Sequence, residues 1–72
     1  MSNDTKKYIV INKETSQVLC KKGSRRYRQN FNSIEKGLKI VNLSKEKAQA
    51  EADYLNKEYY EGWEIQEVTE NE

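Results

Sequence analysis

Within a few residues, the segment Lys21-Lys22-Gly23-Ser24-Arg25-Arg26-Tyr27-Arg28 gathers five cations and one aromatic ring. Guanidinium groups grip phosphate or carboxylate oxygens in pairs, lysine adds point charge, and a tyrosine ring offers a face for stacking. Lys21, Lys22, Arg25, Arg26, Tyr27 and Arg28 are therefore candidates for binding RNA, single-stranded DNA or an acidic patch on a protein. The competing reading is a solvated basic run, or one that pairs with the chain's own carboxylates. A second candidate face lies later, where Glu46, Asp53, Glu58 and Glu61 surround Tyr54 among good helix formers. Carboxylates there could stand in for nucleic-acid phosphates in a partner's basic groove, and tyrosine joins a large contact area to one polar tip. Lys47 and Lys57 interrupt that series, and Asp53 and Lys57 have the i,i+4 spacing of an ordinary helix-surface pair. A solvated helix face is the alternative to mimicry.

Groups suited to turnover are scarce. The chain contains no histidine, so a Ser-His or Cys-His nucleophile pair cannot be built within it. Cys20 is the single cysteine, which excludes an internal disulfide, a CxxC pair and a zinc cluster. Its neighbours Lys21 and Lys22 would favour a thiolate, but a small, half-buried strand residue is the expected role. Gly23, Gly37 and Gly62 are isolated turn or cap glycines and form no phosphate loop. Glu64 and Glu67 fall on opposite faces of an expected strand and cannot converge on one bond. The expectation is a protein that is not an enzyme and uses no metal or cofactor.

Charge is segregated along the chain. Lys and Arg total 13 against 12 Asp and Glu, a net charge of +1. Residues 1–29 nevertheless hold eight cations against two carboxylates, and residues 30–72 hold five against ten. Fields of opposite sign from the two parts steer partners even when the total nearly vanishes.

These groups need elements to hold them. Seventy-two residues, 35% hydrophobic and without proline, suffice for one small domain over 1–72, with 1–5 and 70–72 expected to fray. The β-branched and aromatic run 7–12 reads as a strand with Tyr8 and Val10 on one face and Ile9 and Ile11 on the other, hence covered twice. A turn at 13–16, a returning strand at 17–21, a turn at Gly23-Ser24 and a third strand over 25–31 follow. In that third strand Tyr27 and Phe31 alternate with Arg26 and Arg28, giving one apolar and one basic face. Asn32 or Ser33 caps a helical turn stopped by Gly37, and 38–43 is a short extended stretch. Ser44 is the N-cap of a long helix, with Leu43 and Ala48 spaced as a hydrophobic staple. Ala48, Ala52, Leu55 and Tyr59 form a narrow stripe along it, Gly62 stops it, and Trp63 plugs the core end at the start of a last strand, 63–68. The fold expected is α+β, a small antiparallel sheet of three to four strands with one long helix on one face, leaving the other face thinly covered.

Three passages, Ser33-Ile34-Glu35-Lys36-Gly37-Leu38-Lys39-Ile40, Ser44-Lys45-Glu46-Lys47-Ala48 and Glu64-Ile65-Gln66-Glu67-Val68, resemble a type of small protein from Gram-positive phages and mobile elements. The likeness spans about half the chain and consists of structural positions; Gly37 stands where the pattern has alanine. It implies a fold and a genomic setting and transfers no catalytic residue. Characterised proteins of this type bind and disable a host factor, so the expected partner is a host protein, such as a defence enzyme (the anti-CRISPR mode) or a nucleic-acid-processing enzyme. The alternatives are a nucleic-acid-binding protein using 21–28, or a homodimer that covers the open sheet face. With no apolar run near the roughly 20 residues that span a bilayer, no membrane partner is expected, and the location expected is cytoplasmic, in the host cell if phage-encoded.

Overall fold

Because successive strand residues point to opposite sides, one six-residue strand can feed two cores. Strand β1 (Lys7–Asn12) does so in the computed structural model, which describes residues 6–68. Val10 joins Leu19, Val41, Ala48, Ala52, Leu55 and Trp63 in the larger core, and its neighbour Ile11 joins Val18 and Cys20 in the smaller one. The remaining elements are β2 (Gln17–Lys22), β3 (Arg25–Asn30), a 3₁₀ turn (Phe31–Ser33), β4 (Lys39–Ile40), α1 (Lys45–Glu58) and β5 (Trp63–Val68). They form an antiparallel sheet in the order β3-β2-β1-β5 with β4 also paired to β2, so the fold is α+β with one helix. The residues expected to fray, 1–5 and 70–72, lie outside the described range.

The first hairpin opens away from its turn. β1 and β2 pair at Ile11–Val18 and Asn12–Gln17 only. Beyond those pairs segment 39–43 enters between them: Ile40 and Lys39 pair with Cys20 and Lys21, Val41 N–H donates to Leu19 C=O (3.0 Å), and Leu43 and Tyr8 exchange two bonds (2.7 and 2.9 Å). Buried backbone groups demand partners, and the inserted segment satisfies both strands at once.

Two elements depart from expectation. β3 ends at Asn30, whose side chain accepts from Asn32 N–H (2.8 Å) and starts the 3₁₀ turn at Phe31; no helical turn capped at Asn32 or Ser33 forms. Phe31, Ile34 and Leu38 instead pack on the smaller core, so the chain itself supplies cover to the sheet face that was expected to be thinly covered, and this narrows the apolar surface a homodimer would bury there. The helix, in turn, starts at Ser44 as expected, its Oγ accepting from Lys47 N–H (3.4 Å), but stops at Glu58 with Tyr59 as the C-cap. Ala48, Ala52 and Leu55 are buried, whereas Tyr59 is 48% exposed and is not part of the core stripe. Lacking bulk beyond Cβ, the alanines let the N-terminal part of α1 lie close to the sheet.

Gly62 is a turn residue rather than the helix stop. Its φ of +109° is a conformation that other residues rarely adopt, and a Cβ there would come within 2.9 Å of Asn12 Oδ1. Asn12, fully buried, spends its amide on three backbone groups: Oδ1 accepts from Glu14 N–H (3.0 Å) and Thr15 N–H (3.2 Å), and Nδ2 donates to Glu61 C=O (3.2 Å). One side chain thus shapes the β1–β2 turn and ties it to the entry of β5. Asn56 does a similar service for buried Trp63, accepting from its N–H (2.9 Å) and donating to its C=O (3.1 Å). Gly62→Ala should cost about 2–3 kcal/mol through the strained φ and the clash, and Asn12→Ala about 2–3 kcal/mol through stranded backbone groups. Both appear as lower urea midpoints; because Asn12→Ala also removes the atom that the new methyl would strike, the double variant should lose less than the sum.

Candidate functional site

Past its core, the β2–β3 hairpin runs on as a basic ladder. β2 is buried from Val18 to Cys20 and exposed at Lys21 and Lys22, and β3 is exposed from Arg25 to Tyr27. The two-residue turn Gly23-Ser24, with φ +61° at Gly23 and no positive φ at Ser24, follows the pattern of a type II′ turn. It fixes the register: Lys22 faces Arg25, Lys21 faces Arg26, Cys20 faces Tyr27 and Leu19 faces Arg28. On its other side Lys21 faces Lys39 of β4. Lys39, Lys21 and Arg26 therefore form a row of cations across three strands, on the same sheet face as Leu19 and Val41 and hence the helix side; Lys22 and Arg25 form a like-charged pair on the other. Like charges placed directly opposite one another destabilise a sheet.

All six residues expected at the basic site are brought together, but on two faces. Lys21, Arg26 and Arg28 share the helix side; Lys22, Arg25 and Tyr27 share the side of the smaller core. Arg26 Nη1 meets Glu51 Oε2 at 2.5 Å, and the Arg28 guanidinium lies 3.9 Å from the centre of the Tyr59 ring, a cation–π arrangement. Tyr59 meets Tyr54 edge to face at 6.1 Å, so Arg28, Tyr59 and Tyr54 form a ladder from β3 to the helix end. Among the described residues Lys21, Lys22, Arg25 and Lys39 have no carboxylate within 4.0 Å. The rest of the charge segregation is partly spent at the opposite edge, where Lys13 pairs with Glu64 (3.5 Å) and Lys6 with Glu67 (3.4 Å). A cleft of about 460 Å³ beside β3 is lined by Lys22, Arg26, Tyr27, Arg28, Glu35 and Leu38.

The second candidate face is not assembled in the same way. Glu46 and Asp53, seven residues apart, share one line of α1; Tyr54 and Glu58 share another, about 100° round the helix, and Glu61 lies beyond its end. Asp53 accepts from Gln49 Nε2 (3.1 Å) rather than pairing with Lys57. Tyr54, 54% exposed, belongs with Tyr59 and Arg28 and not with the carboxylates. Cys20 is fully buried, and burial pushes its thiol pKa up, so Lys21 and Lys22, both pointing to solvent, do not activate it.

Lys39, Glu51 and Tyr59, which adjoin Lys21, Arg26 and Arg28, belong to the candidate site and were missed by sequence reasoning. Glu51 had a readable signal, since it precedes buried Ala52 and so borders the face that meets the sheet. Lys39 had none, because only the long-range pairing of β4 with β2 brings it to Lys21. Lys21→Thr, which breaks the cation row and keeps a strand-favouring side chain, should raise stability by about 0.5 kcal/mol at low ionic strength, the gain fading as salt screens the row. Urea midpoints at two salt concentrations measure it.

Among the described residues no helix is long and apolar enough to cross a membrane. In comparison with known proteins, no family model matches the chain, and no curated protein or solved structure matches it.

Proposed function

We propose that this chain is a non-catalytic binding protein that engages a partner protein stoichiometrically through the basic β2–β3 hairpin, with Lys21, Lys22 and Arg25 as the principal cations and Arg28 with Tyr59 and Tyr54 as a flanking contact. The observation that carries this reading is the cation row Lys39–Lys21–Arg26 with its companion pair Lys22–Arg25: five cations in register, of which Arg26 alone has a carboxylate partner among the described residues. Mutual repulsion within the row is relieved when a partner supplies anions, so acidic surfaces are favoured.

Carboxylates rather than nucleic-acid phosphates fit the division between faces. A strand of RNA or DNA lying on one side of the hairpin would meet Arg26 and Arg28 with Tyr59 and Tyr54 in place of Tyr27, or Tyr27 and Arg25 without the other two arginines. One face of the Tyr59 ring already carries the Arg28 guanidinium and its neighbour Tyr54 packs edge to face, so stacking a base there would displace existing contacts, which carboxylates do not require. In its finer form the proposal names the partner as a defence or nucleic-acid-processing enzyme of a host cell. Such enzymes commonly gather carboxylates around divalent cations, and a projecting basic hairpin would obstruct that acidic site sterically and electrostatically.

Capture from a Gram-positive host lysate tests the reading when the wild-type chain is compared with the Lys21→Glu/Lys22→Glu/Arg25→Glu variant. A protein held at equimolar ratio by the wild type and lost from the variant is expected. Equal retention by both, or retention by neither at any ionic strength, refutes it. Salt-dependent binding of single-stranded oligonucleotides that vanishes in the same variant, with no protein retained, would move the assignment to nucleic acid.

A further inference from the structure

Strand β3 is the terminal strand of the sheet, and the direction of its backbone groups follows from the hairpin it forms. Facing residues of an antiparallel pair alternate between those that exchange hydrogen bonds and those whose N–H and C=O point away. The two-residue turn makes Lys22–Arg25 an exchanging pair, and hence Cys20–Tyr27 and Val18–Gln29 as well. Two further bonds agree with this phase. Phe31 N–H donates to Ser16 C=O (2.9 Å), continuing the exchanging series, and Leu19 C=O, from a non-exchanging pair, turns to the other side and accepts from Val41 N–H (3.0 Å). Arg26 and Arg28 therefore direct their backbone N–H and C=O groups outward along the free edge, which ends at Asn30, the cap of the 3₁₀ turn.

We propose that this edge accepts an extended, carboxylate-bearing segment of the partner as an added strand; the inference rests on the binding role assigned above and specifies its mode. Three features select the occupant. Free main-chain groups at alternate residues offer the hydrogen bonds of strand addition. Side chains of an added strand alternate between faces, so one segment reaches Arg26 and Arg28 on the helix side and Arg25 on the other, which a ligand lying on a single face does not. The cleft beside β3, with Tyr27 and Leu38 in its lining, adjoins the same strand and offers space for a side chain of the incoming segment. Three cations against Glu35 alone in that lining set the preferred sign of the ligand. A second copy of the chain is a poor occupant, because β3 set against β3 would bring arginines together.

Amide hydrogen exchange by NMR, with a short Val-Glu-Glu-Val-Glu-Glu-Val peptide, whose paired glutamates fall on both faces of a strand, as the probe and its lysine counterpart as control, tests the mode at low ionic strength. In the free chain, the amides of Tyr27 and Gln29 exchange slowly and those of Arg26 and Arg28 fast. The glutamate peptide should slow Arg26 and Arg28 by about tenfold or more, and the lysine peptide should leave them unchanged. Arg28→Pro, which removes an outward N–H that an edge strand does not need, should weaken peptide binding about fivefold or more, and Arg28→Gln, which keeps that N–H, by about twofold to threefold. If the peptide shifts resonances at the hairpin tip while Arg26 and Arg28 still exchange fast, strand addition is overturned and the binding role stands. Absence of peptide binding also overturns it, and leaves the lysate capture to decide the broader reading. Slow exchange at Arg26 and Arg28 in the free chain, with a doubled mass by light scattering, would give the edge to a second copy and reject the proposal.

Discussion

Strand β2 has two edges to satisfy, and the way it does so organises the molecule. β3 covers one edge along its whole length; β1 covers the other only at Val18 and Gln17 before leaving it. A hairpin that parts in this way exposes main-chain donors and acceptors inside the protein, a cost of several kcal/mol if left unmet. Segment 39–43 meets it from both sides, bonding Leu19 through Val41 and Tyr8 through Leu43. The same insertion places Val41 in the larger core and Leu43 against it, one residue before the Ser44 cap, so the start of the helix is set by the strand that fills the gap. It also delivers Lys39 to the side of Lys21. The cation row and the fold therefore share one cause.

Two thin cores, instead of one thick one, follow from adjacent apolar residues on β1 and β2. Val10 and Leu19 look toward α1, while Ile11, Val18 and Cys20 look toward the 31–38 segment. Asn12 closes this arrangement at the turn end, where its buried amide and the missing Cβ of Gly62 occupy the same small volume. At the opposite end of β2 the cores stop after Cys20 and the ladder continues alone. The hairpin tip consequently projects from a well-tied base, with backbone pairing and no apolar cover.

Local signals in the sequence were enough for most elements. The Ser44 cap, the opposite facing of Val10 and Ile11, the burial of Trp63 and the basic side of β3 follow from side-chain chemistry and a period of two, and each is present in the structure. Features that depend on distant pairing were not legible. Tyr59 has the spacing of a core residue, yet the chain leaves the helix there and the ring turns to Arg28. The helical turn expected over 32–37 gives way because Asn30 caps two residues earlier and the apolar residues at 31, 34 and 38 suit a loop laid on a flat face. The basic segment was readable as composition; its division between two faces and its completion by Lys39 were not, since both require the register of β2 with β3 and β4.

Cations on an edge strand have an ordinary use, which is to keep sheets from joining edge to edge. That use accounts for arginines along β3 but not for Lys21, which lies on the interior strand of the ladder between Arg26 and Lys39 and adds repulsion without guarding any edge. A row of this kind lowers stability most at low ionic strength, where its charges are least screened. Binding of anions at the same place is strongest under those same conditions. With the proposed docking, one arrangement gives two salt dependences of opposite sign: added salt firms the free protein and loosens the proposed complex. An edge guard alone would show only the first, and it is the second that separates a docking surface from a protective one.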